Sequence, residues 1–161
     1  MSLFKSKTST LSIAPFVSVI CDIKATVSHG VNLHTQNIEF EESIDSNSIA
    51  FRGRGYENGF NDSKRGMTIT FPKDIQAGTY HPKDPNFPFE TFEYYESGAN
   101  DNFTTFYIYK PESDPINVKV ISYNSEELCY LISFDFKGKD HRTKELHIVG
   151  TATLNVFKRS E

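Results

Sequence analysis

The sequence predicts an all-β chain, folded as one antiparallel β-sandwich of about nine or ten strands across residues 1–161. A closed antiparallel barrel is the alternative. Three observations carry this expectation. Apolar residues recur at every second position, the period of a strand with one buried face. The composition is strand-favouring, with 14 Phe and 8 Tyr among many Ile, Val and Thr. Gly, Pro, Asn and Asp punctuate the chain at short intervals, leaving no room for a long helix.

Each element follows from that alternation. In "FVSVICDIKATV", Val17, Val19, Cys21, Ile23, Ala25 and Val27 share one face, and Ser18, Asp22, Lys24 and Thr26 the other. The first strand is read as Leu11–Val27, and Gly30 marks the turn after it. Ile38 and Phe40 point inward between Glu39 and Glu41. Ile49 and Phe51 point inward while Arg52 and Arg54 point out; Gly53 and Gly55 suggest a bulge or a close backbone approach. Met67, Ile69 and Phe71 form the next inward face, ended by Pro72. "IQAGTY" (75–80) reads as a short strand, and the proline-rich 81–89 as loop. "ETFEYYES" (90–97) is open between strand and short helix: Pro88 and Gly98 suit helix ends, the aromatics suit a strand. Strands follow at 102–109 and 116–122. Leu128, Tyr130, Ile132, Phe134 and Phe136 give one long inward face, and Leu146, Ile148, Gly150, Ala152, Leu154 and Val156 the last.

Three of these segments resemble a group of uncharacterised bacterial β-sandwich domains. They are "IQAGTY", "INVKVISYNSEELCYLISFDF" (116–136) and "HIVGTATLNVF" (147–157), and the likeness covers residues 67–157. That group shows a Gly-Thr-Tyr strand, a hydrophilic aromatic segment and a closing hairpin with a late glycine. The resemblance implies a β-sandwich, export as lipoproteins in many members, and no common activity.

Charge and motifs narrow the function. With 17 basic and 21 acidic residues the net charge is −4, which argues against general affinity for nucleic acid or anionic membrane. No apolar run reaches the roughly 18–20 residues of a membrane helix. The two cysteines form no disulfide framework and no CxxC, and their opposite strand phases argue against a Cys21–Cys129 bridge. His29, His34, His81, His141 and His147 show no metal spacing, so no metal and no cofactor is expected. There is no G-x-S-x-G, and "GRGYENG" (53–59) leads into no helix that would hold a phosphate. "ESGANDNF" (96–103) lacks the alternating Asp of a calcium loop and reads as a turn. Glu90, Glu93, Glu96 and Asp101 read as a solvated face rather than a catalytic carboxylate pair. The basic run "KGKDHRTK" (137–144) reads as a charged hairpin end that keeps edge strands soluble, with an acidic partner as its functional alternative.

What remains is the aromatic segment Phe87–Tyr109. Its last strand is apolar on both faces: Phe103, Tyr107 and Tyr109 take one phase, Phe106 and Ile108 the other. Such a strand is either covered on both sides or presents one face to a partner. The expectation is therefore a non-catalytic binding module. The first reading is a protein-interaction domain of accessory, immunity or structural type, associating with a protein partner or with itself. Its aromatic, acidic surface would comprise Tyr80, Phe92, Tyr94, Tyr95, Phe106 and Tyr107. The alternatives are a groove for a small ligand or sugar, and a hydrolase built on nearby carboxylates.

The N-terminal "KSKTSTLSIAPFVSVICD" (5–22) has the outline of a lipoprotein signal. However, Ile20 stands where a small residue should precede the cysteine, and Ser12, Pro15 and Ser18 interrupt the apolar run. The alternation also continues unbroken through Cys21. The expected compartment is the cytoplasm, with export as the alternative.

Overall fold

A computed structural model of the chain describes residues 16–56, 64–99 and 104–159. It is all-β, with two antiparallel sheets packed face to face and not closed into a barrel. Eleven strands are present among the described residues: β1 (Phe16–Val27), β2 (Leu33–Thr35), β3 (Ile38–Glu42), β4 (Ser48–Tyr56), β5 (Lys64–Pro72), β6 (Gly78–Tyr80), β7 (Thr91–Ala99), β8 (Thr104–Tyr109), β9 (Ile116–Tyr123), β10 (Glu127–Lys139) and β11 (Glu145–Arg159). The six-stranded sheet runs β2-β1-β11-β10-β9-β6 and the five-stranded sheet β3-β4-β5-β7-β8. No helix among the described residues is long and apolar enough to cross a membrane.

The alternation fixes which side chains meet. Ile23, Ile49, Phe51, Met67, Ile69, Phe71, Ile132, Phe136, Ile148 and Leu154 are all fully buried. Edge-to-face aromatic pairs join the sheets. Phe71 meets Tyr130 with centroids 5.0 Å apart, and Phe92 meets Phe134 at 5.5 Å and Phe136 at 5.9 Å. The positive ring edge against the negative ring face contributes about 0.5–1.5 kcal/mol per pair beyond area burial.

Two open readings are decided and three expectations are corrected. Of segment 90–97, the residues from Thr91 on form a strand, because β7 is laddered on both sides, to β5 and to β8. An eleventh strand, Leu33–Thr35, is too short for a period-two signal, yet it buries Leu33 and Thr35 around exposed His34. The strand expected over 75–80 is hydrogen-bonded only from Gly78, where β9 offers a partner. Gly53 and Gly55 carry no bulge, since the β4–β5 register is continuous through both. Instead a Cβ at Gly53 would lie 3.0 Å from Ile23 Cδ1 and 3.1 Å from Thr35 Cγ2, so a close approach is what this position requires. The turn expected over 96–103 is corrected in its first half, since 96–99 continue β7. Residues 100–103, which include the first two of the strand expected over 102–109, lie outside the described residues, as do residues 11–15 of the expected first strand and the 57–59 part of the glycine run.

The first and last strands pair along twelve residues, from Phe16↔Arg159 to Val27↔Ile148. Cys21 lies on the core side of β1. Cys129 is buried as well, but off the core phase, opposite Asn155 and beside the register shift between β10 and β9. Both thiols are free. Burial pushes the Cys21 thiol up to about 11, against a hydrogen bond to the Asn155 carbonyl that lowers it, with Cys129 a smaller raising influence.

Two outcomes follow. Gly150 lies so close to β1 that an added Cβ would sit 2.0 Å from the Lys24 carbonyl oxygen. Gly150→Ala should therefore lower the urea midpoint by the equivalent of about 2 kcal/mol, with an unchanged slope. In the native protein near pH 8 both thiols should resist a thiol-reactive dye and react fully in guanidinium; rapid native labelling of Cys21 would contradict its placement.

Candidate functional site

The sandwich is clasped at both ends by polar groups that link its sheets. At one end Glu42 of β3 accepts from Lys158 at 2.7 Å and Lys73 at 2.8 Å. Those two donors, Lys158 first, hold the Glu42 carboxyl below its usual range. Each group is about a quarter to a third exposed, so the clasp orients more than it stabilises.

The opposite end is built from strands β5, β7 and β8 and the β10–β11 turn. Tyr94 and Glu96 share the inward face of β7, and the Tyr94 hydroxyl donates to Glu96 at 2.7 Å. Arg65 of β5 donates to the Val31 carbonyl at 2.6 Å and to the Tyr94 hydroxyl at 3.3 Å, and lies 3.7 Å from Glu96. Glu96 is therefore part of an interior network, not of a solvated face. Glu90 and Glu93 stand on the solvent side, and Asp101 lies outside the described residues. The expected carboxylates thus do not converge.

Asp140, with no exposed side-chain surface, organises the turn. It accepts from the Tyr109 hydroxyl at 2.8 Å, from the Arg142 guanidinium at 2.5 and 3.0 Å, and from the backbone N–H groups of Arg142 at 2.7 Å and Lys144 at 3.1 Å. Burial opposes its ionisation, but these donors outweigh burial and hold the carboxyl far below the usual range. Thr143 adopts φ 64° within this turn, a conformation uncommon for a β-branched residue and held here by the surrounding bonds. The turn sets Arg142 3.7 Å above the Tyr107 ring centroid and His141 parallel to that ring at 5.4 Å.

The six residues expected to form one aromatic surface do not do so. Phe92 and Tyr94 are core residues, because the inward phase of β7 faces the other sheet. Tyr80 belongs to β6, in the other sheet; it packs on Phe89 and donates its hydroxyl to the Gln76 carbonyl. Tyr107 is half-buried beneath the β10–β11 turn. Tyr95 and Phe106 remain, in contact on the outward face with centroids 5.9 Å apart. Tyr95 covers Gly66, where a Cβ would come within 2.7 Å of its hydroxyl. Ile108, opposite Tyr95 in the ladder, extends the patch. Phe106 is 54% exposed and Ile108 41%.

The hollow beside the patch is more basic than acidic, with Glu112 its one carboxylate. Beyond Ile108 lies an open hollow of about 540 Å³ lined by Lys110, Pro111, Glu112, Lys139 and His141. Gly138 of β10 brings these groups together, since its backbone packs directly on that of Lys110. Elsewhere His34 pairs with Asp22 at 2.9 Å and His147 with Asp135 at 2.5 Å, both on the outer face of the six-stranded sheet. Among the described residues no three His, Cys, Asp or Glu side chains are grouped to hold a metal ion.

The network residues Arg65, Glu96 and Asp140 had only a weak signal. Carrying the Met67–Ile69–Phe71 phase back two positions places Arg65 inward, and the Phe92–Tyr94 phase carried forward does the same for Glu96. Nothing in the sequence singles out Asp140 among the charges of its loop.

No protein family, curated protein or solved structure matches this chain.

Asp140→Ala should cost about 2–3 kcal/mol at pH 7, because it strands the buried Tyr109 hydroxyl and two turn amides. A depressed folded-state pKa means the unfolded chain takes up the proton first as pH falls. The Asp140 contribution is full above the ordinary aspartate value of about 4 and erodes as pH drops below it. Urea unfolding of both proteins from pH 7 to pH 3 should show the stability gap narrowing. A gap constant with pH would mean that the fold does not favour the ionised Asp140 carboxylate.

Proposed function

We propose that this chain is a non-catalytic protein-interaction domain that meets its partner through the outward face of β7 and β8. The observation that carries the reading is the exposure of Phe106 and Ile108, contiguous with Tyr95, on a sheet face that is otherwise polar or charged: Glu39, Arg52, Arg54, Thr68 and Glu93. Large apolar side chains on a flat strand surface desolvate readily and anchor interfaces. The flanking cations suit an orienting rim, which sets specificity and encounter rate more than affinity.

The groove and hydrolase alternatives have less support. An open depression of about 560 Å³ lies at the other edge of this sheet, between Glu41, Asp45, Arg52 and Glu90, and none of its lining residues is aromatic. Placement in the cytoplasm accompanies the interaction reading. Its support is that the described part of the first strand runs continuously from Phe16 through Cys21 to Val27.

Phe106→Lys and Ile108→Glu should leave stability within about 0.5 kcal/mol, since both side chains are largely exposed. The same changes should weaken partner binding roughly tenfold or more. Wild-type and variant proteins, used in parallel for affinity capture with quantitative mass spectrometry, should differ in one or a few recovered proteins. Identical recovery, or recovery of nothing but the chain itself, would count against a partner at this surface.

A further inference from the structure

We propose that the free edge of β8 and the basic turn beside it bind an extended acidic segment of a partner protein, which adds to the five-stranded sheet as a further strand. The inference rests on the interaction reading above and specifies its partner.

Sheet edges expose unpaired amides and carbonyls, and proteins usually blunt them with charge, proline, bulges or brevity. The other edges here are mostly blunted. β3 carries Glu39, Glu41 and Glu42, β2 and β6 are three residues each, and the open part of β9 carries Lys119. Among the described residues two uncharged edges remain: Phe16–Cys21 at the start of β1, and β8. The β8 edge runs "TTFYIY", with no charge, no proline and an unbroken register to β7. β7 is its only strand neighbour among the described residues.

Charge decides what would cover β8. Lys110 follows the strand directly, and Lys139 and His141 line the hollow at its end with a single acid, Glu112. Arg142 is already fixed between Asp140 and the Tyr107 ring, so little side-chain entropy remains to be lost there. The Asp140 carboxylate, 2.5 Å from the Arg142 guanidinium, balances that charge, so the cations left for a partner are Lys110 and Lys139. The hollow at the end of this uncharged edge thus carries two lysines against one carboxylate, in a chain whose net charge is −4. β8 itself has no carboxylate to offer those cations, which disfavours a second copy paired through the same strand. An added strand would supply backbone hydrogen bonds, apolar side chains over Phe106 and Ile108, and carboxylates toward Lys110 and Lys139.

The test pans a phage-displayed library of random peptides against the whole protein and synthesises the most enriched sequence. Enrichment of acidic peptides free of central proline is expected. Binding of that peptide should fall roughly tenfold on Lys110→Glu with Lys139→Glu, both exposed positions, and also between about 50 and 500 mM salt. An edge strand pairs through alternate residues only, so N-methylation of the peptide in one phase should abolish binding and in the other should spare it. Basic or proline-rich winners, no winner, or insensitivity to the charge reversals or to methylation phase would overturn the proposal. So would a dimer in ultracentrifugation that Ile108→Glu dissociates, since the occupant would then be a second copy. If Phe106→Lys abolishes capture of a cellular partner while the lysine reversals do not, this inference fails and the interaction reading stands. If neither change affects capture, both fail.

Discussion

The edge-to-face aromatic seam between the sheets is the constraint on which the rest of the structure depends. Phe71 and Phe92 on one sheet and Tyr130, Phe134 and Phe136 on the other set both the spacing and the relative placement of the layers. A seam of rings is thick and rigid, so it excludes polar groups from the middle of the sandwich. Polar side chains that point inward are confined to the ends, where Glu42 with Lys73 and Lys158, and Arg65 with Tyr94 and Glu96, can be paired. The tyrosines of the seam and its margin keep their hydroxyls satisfied: Tyr130 on the Lys73 carbonyl, Tyr94 on Glu96 and Tyr109 on Asp140.

The seam also explains the surface. A two-layer core accepts only one face of each strand, and β8 has apolar residues on both. Tyr107 and Tyr109 take the inward side, where the β10–β11 turn closes over them. Phe106 and Ile108 are left outside at an edge with nothing described above them. The same turn that buries Asp140 to hold Tyr109 also places His141, with Lys139 just before it, beside the exposed strand. Fold closure and the proposed binding surface therefore share one structural element, although different side chains serve each.

Much of the fold was legible. Strand phase placed nearly every core residue on its correct face, from Ile23 to Val156, because burial of one sheet face imposes a period of two directly on the sequence. What escaped was short or local: β2 is too brief to show a period, and in "ETFEYYES" helix-end residues competed with strand propensity. The candidate site was legible only in part. The sequence exposed an excess of aromatics between Phe87 and Tyr109 but not their division. Tyr80, Phe92 and Tyr94 fell away because sheet membership and distance across the sandwich are long-range properties. Part of the basic rim, Lys139 and His141, came from the far end of β10 and the turn after it.

The sequence by itself determined the class of architecture, the single antiparallel sandwich, and the inward-facing residue set. These depend on local alternation and composition, which act within a few residues of each other. Only the tertiary structure decided which strand lay at an edge, which aromatics stayed exposed, and that Glu96 and Asp140 were engaged internally rather than offered to solvent. Those outcomes depend on strand order and on the pairing of distant segments, such as β1 with β11 and Gly138 with Lys110. Strand phase leaves such pairings undetermined, because the same alternating faces fit together in many orders.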